Sequence, residues 1–133
     1  METKETKILL DTNFLLIPAE FRVDIFSELE RLMDRKYKLY ILDKTITELK
    51  NIVRSQKGKS SQAAKIALQL IDNKKLNIIN TSSLPSSVDD IILRLVNSEY
   101  IVGTQDKLLR KKLKQKNIQL LSLRQKTHLR IIS

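Results

Sequence analysis

Lys7-Ile8-Leu9-Leu10-Asp11-Thr12-Asn13-Phe14 is a short apolar run that stops at a carboxylate. Such a run suits a strand buried on both faces of a parallel sheet. In open α/β sheets, ligands bind just beyond the carboxyl ends of strands, so an acid in that place is a candidate metal ligand or catalytic group. The pattern returns late in the chain, where Tyr100-Ile101-Val102-Gly103 runs into Thr104-Gln105-Asp106.

Between and around these two strands the sequence alternates strand-like and helix-like segments. Pro18 precedes a helical pattern with Phe26, Leu29 and Met33 on one face, and Lys38 to Leu42 reads as the second strand. Asp43 is placed to cap a helix whose apolar stripe is Ile46, Leu49 and Val53. Arg54 to Ser61 reads as a loop. Ala63, Ala67 and Leu70 mark a third helix ending near Asn73, and Lys75 to Asn80 reads as the third strand. After a Ser/Pro loop over 81–87, Ser86 and Ser87 stand three residues before Asp89 and Asp90, a spacing close to a capping box. Ile92, Leu93 and Val96 form the buried face of the fourth helix. Gln105 to Lys116 reads as a basic fifth helix with Leu109 and Leu113 inward, and Gln119 to Leu123 as a last strand. Leu129 to Ile132 is an apolar end suited to packing on the core or on a partner. Strands separated by helix-length segments imply βαβ units and a mainly parallel sheet of four to five strands.

The chain has 133 residues, 41% hydrophobic and 30% charged, which fits one soluble domain over 1–133. No stretch is apolar enough to span a bilayer, and the charged N-terminus has no secretory apolar segment, so the expected location is the cytoplasm and no membrane contact is expected. The absence of Cys rules out disulfides, thiolate zinc sites and cysteine nucleophiles. With a single His, His128, any metal must be held mainly by oxygen, which points to Mg²⁺ or Mn²⁺. A net charge of +10 points to a polyanionic partner such as RNA.

Four acids stand out against that basic background: Asp11, Glu48, Asp89 and Asp106. Each has a plainer role available. Asp11 suits a turn, Asp89 and Asp90 suit helix caps, and Asp106 suits a cap on the basic helix. Periodicity places Glu48 on the flank of its helix, exposed to solvent.

Taken together, Asp11-Thr12-Asn13-Phe14, Thr47-Glu48-Leu49, Val88-Asp89-Asp90-Ile91-Ile92 and Val102-Gly103-Thr104-Gln105-Asp106 resemble, in order and over nearly the whole chain, the motifs of PIN-domain ribonucleases. The likeness extends to small archaeal members and to the PIN nuclease of the eukaryotic small-subunit processome. It implies a three-layer α/β/α fold and a metal-dependent endoribonuclease. It also implies Asp11, Glu48, Asp89 and Asp106 as the acids that hold Mg²⁺ or Mn²⁺, with Thr12, Asn13, Thr104 and the flanking Asp90 in support. In the family the third acid is followed by buried residues at offsets of three, four and seven, which from Asp89 reach Ile92, Leu93 and Val96, so the resemblance implies Asp89 rather than Asp90. From Asp90 the same offsets reach Leu93, Arg94 and Asn97.

The basic clusters supply expected RNA contacts: Lys107, Arg110, Lys111 and Lys114 on the fifth helix, with Lys112 and Lys116 beside them, and Arg54, Lys57 and Lys59 in the loop. Arg124, Lys126 and Arg130 form a third patch. Ribosomal RNA processing is one setting for such an enzyme, with a ribosome-assembly partner or a homodimer. The toxin of a toxin–antitoxin pair, with an antitoxin partner, is another. A non-catalytic RNA-binding or assembly module is the alternative outside enzymes. An aspartyl phosphatase would want a second Asp two residues after Asp11, where Asn13 stands, and a phospho-receiver would want an Asp after the third strand, where Thr81 stands.

Overall fold

A computed structural model describes residues 5–81, 84 and 86–133. Its strands are β1 (Thr6–Leu10), β2 (Tyr37–Leu42), β3 (Asn77–Ile79), β4 (Tyr100–Gly103), β5 (Gln119–Arg124) and β6 (His128–Ile132). They form one sheet in the order β3-β2-β1-β4-β5-β6. The first five are parallel, and β6 returns antiparallel to β5. The sheet thus has six strands rather than four to five. The apolar end Leu129-Arg130-Ile131-Ile132 supplies the extra one, folding back on its own chain through a tight turn at Gln125 and Lys126, both at positive φ. His128 opens that strand. Glu28 holds it in place, accepting a 2.9 Å hydrogen bond from the Leu129 backbone N–H.

Helices cover both faces. On one face lie a 3₁₀ turn (Phe14–Leu16), α1 (Ile17–Phe21), α2 (Ile25–Leu32), α3 (Asp43–Ser55) and α4 (Lys59–Asn73). They pack on Ile8, Leu10, Ile41, Ile101 and Leu121. On the other face, α5 (Val88–Leu95) and α6 (Lys107–Gln115) pack on Leu9, Leu42, Val102 and Leu120. Successive residues of β1 feed opposite cores, which is why its apolar run is continuous instead of alternating. The three-layer α/β/α arrangement expected from the sequence is the one observed.

Several boundaries moved for local reasons. The helix expected after Pro18 is two helices. Arg22 takes a left-handed conformation (φ 56°), and Asp24 then caps α2, accepting from the backbone N–H groups of Phe26 and Ser27. Met33 falls just past the end of α2. Asp43 is the first residue of α3 and not its cap; its carboxylate accepts from the Lys44 N–H and the Thr81 hydroxyl. The loop expected over Arg54 to Ser61 shrinks to residues 56–58, because both flanking helices extend into it and Gly58 makes the turn at φ 67°. The third strand is shorter than expected, since Lys75 at positive φ belongs to the turn. The Ser/Pro loop over 81–87 lies partly outside the described residues. Within it, Ser87 caps α5 by accepting from the Asp90 N–H.

Candidate metal centre

β1 lies between β2 and β4, so the chain leaves it in one direction toward β2 and β3 and in the other toward β4 and β5. That reversal of strand order opens a crevice at the carboxyl ends of β1 and β4. Leu10 and Gly103 are register partners there, and the Asp11 N–H extends the ladder by one bond, 2.8 Å to the Gly103 carbonyl. Gly103 suits this close approach. A Cβ at that position would stand 3.0 Å from both Leu10 Cδ2 and Phe14 Cδ2.

A cavity of about 510 Å³ lies over this point, and all four acids line it. Asp11 arrives from β1, Glu48 from α3, Asp89 from the first turn of α5 and Asp106 from the N-terminus of α6. Thr12, Asn13, Leu16, Asn51, Ile52 and Val88 complete the wall. Asp90 is exposed and lies outside the lining, whereas Asp89 is part of it. Thr104 does not line the cavity and acts on it through Asp11.

Asp11 is 5% exposed and is held at both oxygens: Oδ1 accepts from the Thr12 N–H at 2.8 Å, and Oδ2 from the Thr104 hydroxyl at 2.8 Å. Burial raises its pKa from 3.8 to about 6, with the nearby charges of Asp89 and Glu48 adding to the rise and the two hydrogen bonds opposing it. Asp89 is also raised, by burial first and then by the charges of Asp106, Glu48 and Asp90. Glu48 is solvent-exposed, as its helical phase requires, and yet turned into the cleft, where the Thr12 hydroxyl donates to its Oε1. Thr12 also bonds Thr45, one turn back along α3, at 3.2 Å. Asp106 caps α6 through Oδ1, accepting from the Leu109 N–H at 3.0 Å, so its capping role and its place at the cleft coexist.

Sequence reasoning missed several supporting groups. Gln105 brackets Asn13, its N–H donating to Asn13 Oδ1 at 3.0 Å and its side chain to the Asn13 carbonyl at 3.1 Å. Lys44 donates to the Leu84 and Ser86 carbonyls and so ties the segment leading to Asp89 onto α3. Asn51 was legible, because it stands three residues after Glu48 on the same helical face.

The donor set consists of oxygens, which suits a hard divalent cation. Among the described residues no three acids already stand close enough to form a finished metal cage. A cation here would offset both the burial that chiefly raises Asp11 and Asp89 and the neighbouring charges that add to it.

The basic side chains divide into groups. Lys107, Arg110, Lys111 and Lys114 line a separate concavity of about 550 Å³ along α6, beginning one residue after Asp106. Lys59 lines a third cavity beside the acids, whereas Arg54 and Lys57 are exposed and line none of the three. Arg124, Lys126 and Arg130 are exposed on the β5–β6 hairpin.

Residues 8–126 match the family model described as a PIN like domain. The chain belongs to the PIN-like domain family. It is 34% identical over 129 residues to Ribonuclease VapC4 of Methanocaldococcus jannaschii, covering 94% of this chain and 95% of that protein. Its fold is similar to that of the PIN domain endonuclease Utp24, with a TM-score of 0.75 and 22% identity over 94% of this chain and 90% of that one. No helix among the described residues of this PIN-like domain is long and apolar enough to cross a membrane.

Proposed function

We propose that this protein is a metal-dependent endoribonuclease that hydrolyses RNA phosphodiester bonds, with Asp11, Glu48, Asp89 and Asp106 holding Mg²⁺ or Mn²⁺. The observation that carries the reading is the arrival of four acids from four different elements at one cleft of a strongly basic chain. Acids so placed repel phosphate unless a cation stands between. Family membership and a relative named as a ribonuclease favour RNA hydrolysis as the use of that arrangement.

The bound cation would polarise the scissile phosphate and lower the pKa of a water molecule. The chain's own residues do the rest. Thr104 and the Thr12 N–H fix the Asp11 carboxylate, so that it meets the cation in one orientation. Thr12 fixes Glu48 through its hydroxyl. The α6 cations hold the RNA backbone on one side of the cleft, contributing affinity with little choice of sequence.

The test is cleavage of labelled structured and unstructured RNAs with Mg²⁺, Mn²⁺ or EDTA, beside the Asp11→Asn variant. Metal-dependent cleavage lost in the folded variant supports the proposal. Full activity in that variant sinks it. Two settings extend the proposal, cytoplasmic RNA processing or growth control as a toxin with an antitoxin partner. Growth arrest on expression, relieved by a co-expressed neighbouring gene product, selects the second.

A further inference from the structure

A cavity of about 480 Å³ lies beside the acidic cleft, between α1 and the start of α4. Leu16 and Ile52 line both spaces, so the two adjoin. The second space differs in chemistry from everything else around the site. None of the four acids lines it. Leu16, Ile52 and Ala63 make an apolar floor, and Glu20, Gln56 and Ser60 supply hydrogen-bonding groups, with Lys59 beside them. Its volume falls within the range of small-molecule sites, roughly 300–1,000 Å³.

We propose that this cavity is a nucleobase subsite, which takes the base of a nucleotide flanking the scissile phosphate of single-stranded RNA. The inference rests on the nuclease reading of the adjoining cleft. A phosphate gains less here than along α6, because Glu20 offsets Lys59, the one cation in this lining, and the floor is apolar. A base fits both features, since its apolar face covers the floor and its polar edge meets Gln56, Ser60 and Glu20. Lys59 remains available to the backbone. On the other flank of the acids, the α6 concavity is lined by four cations and Gln115, with no apolar side chain. The two flanks therefore divide the work: α6 holds phosphates, and the α1–α4 cavity reads a base.

The test uses the Asp11→Asn protein in EDTA, chosen to suppress turnover, and fluorescence anisotropy. The probes are a labelled single-stranded RNA of mixed sequence and a base-free ribose-phosphate oligomer of the same length. Ser60→Trp fills the cavity from an exposed position, and Gln56→Trp does the same from the loop should the first variant fold poorly. Ile66→Trp, on an exposed part of α4 outside the cavity, controls for the added indole. Filling the cavity should weaken the RNA roughly tenfold, the scale of losing one seated base. It should leave the base-free oligomer unchanged, and Ile66→Trp should change neither probe. Equal loss for both probes, no loss for either, or RNA binding no tighter than the base-free oligomer overturns the subsite. Cleavage of the same RNA by the unsubstituted protein with Mn²⁺ is scored separately. Base-dependent binding without cleavage rejects the nuclease and keeps the subsite, and cleavage with base-independent binding rejects the subsite alone.

Discussion

The Thr104 hydroxyl donates to Asp11 Oδ2 at 2.8 Å and accepts from the Asp106 backbone N–H at 3.1 Å. One buried side chain, 1% exposed, thereby links the carboxylate after β1 to the residue that starts α6. The two acids are 95 positions apart in sequence by their numbering, and this hydroxyl sets their relation at the mouth of the cleft.

Thr104→Val keeps the side-chain shape and removes both bonds. It leaves Asp11 Oδ2 and the Asp106 N–H short of a partner in a largely buried place, at a cost of about 1–3 kcal/mol. Groups that orient metal ligands typically contribute about 10–100-fold in metal affinity or activity. Urea unfolding and metal titration of the variant should show both losses, and Thr104→Ser should restore most of the metal affinity. A Val variant that binds metal as tightly as the parent would remove Thr104 from the positioning role.

Asp11 makes the metal-free protein pH-sensitive in an unusual direction. Its folded pKa, about 6, lies above the 3.8 it has when exposed, so the folded state binds the proton more tightly than the unfolded chain. The contribution to stability is present in full below about pH 4 and is lost as pH rises through 6, amounting to about 3 kcal/mol. Asp24, Glu28 and Asp43 are held below their usual values, so their stabilisation is lost only as pH falls further. Denaturant unfolding in EDTA should therefore show stability falling between about pH 4 and 6, with Asp11→Asn flattening that slope and more stable at neutral pH. A slope of the same size in the Asn variant would assign it to another group.

Gly103 is set by contact rather than by backbone conformation. A methyl group there meets Leu10 and Phe14 at 3.0 Å, both fully or almost fully buried. Gly103→Ala should destabilise the protein by about 1–3 kcal/mol, the usual cost of overpacking. Since Gly103 precedes Thr104, the displaced strand end should also weaken metal binding. Thermal unfolding and metal titration check the two effects together. Unchanged melting would show that the Phe14 ring yields freely.

How far the sequence disclosed this arrangement follows from the range of the interactions involved. β1 and β4 were legible because burial on both faces leaves an unbroken apolar run, and Asp11 and Asp106 were legible because each ends such a run. Asp89 was singled out by the family resemblance read with helical phase, through Ile92, Leu93 and Val96. Glu48 was not legible from periodicity, since a side chain on a helix flank can serve a cleft only when another element faces it, and here that element is the Thr12 turn. The sixth strand was missed because its pairing depends on two residues, Gln125 and Lys126, taking positive φ without a glycine to announce it. The Thr104 bridge joins residues far apart in sequence, and no local pattern encodes it.

The α6 cations carry a quantitative expectation of their own. Lys111 and Lys114 are exposed and line the concavity beside Asp106. Lys111→Gln with Lys114→Gln should leave the fold intact. If both side chains neutralise phosphates, the slope of log affinity against log salt on single-stranded RNA should shrink by about 0.7 for each contact removed. The loss should be similar for RNAs of different sequence, because phosphate contacts carry no base information. Binding measured over a salt series separates this from a general loss of positive charge by using Arg124→Gln with Arg130→Gln as the comparison. These two stand on the β5–β6 hairpin and line none of the three cavities around the site. An equal fall in slope for both pairs would mean that RNA is held by the net charge of the protein and not by a track along α6.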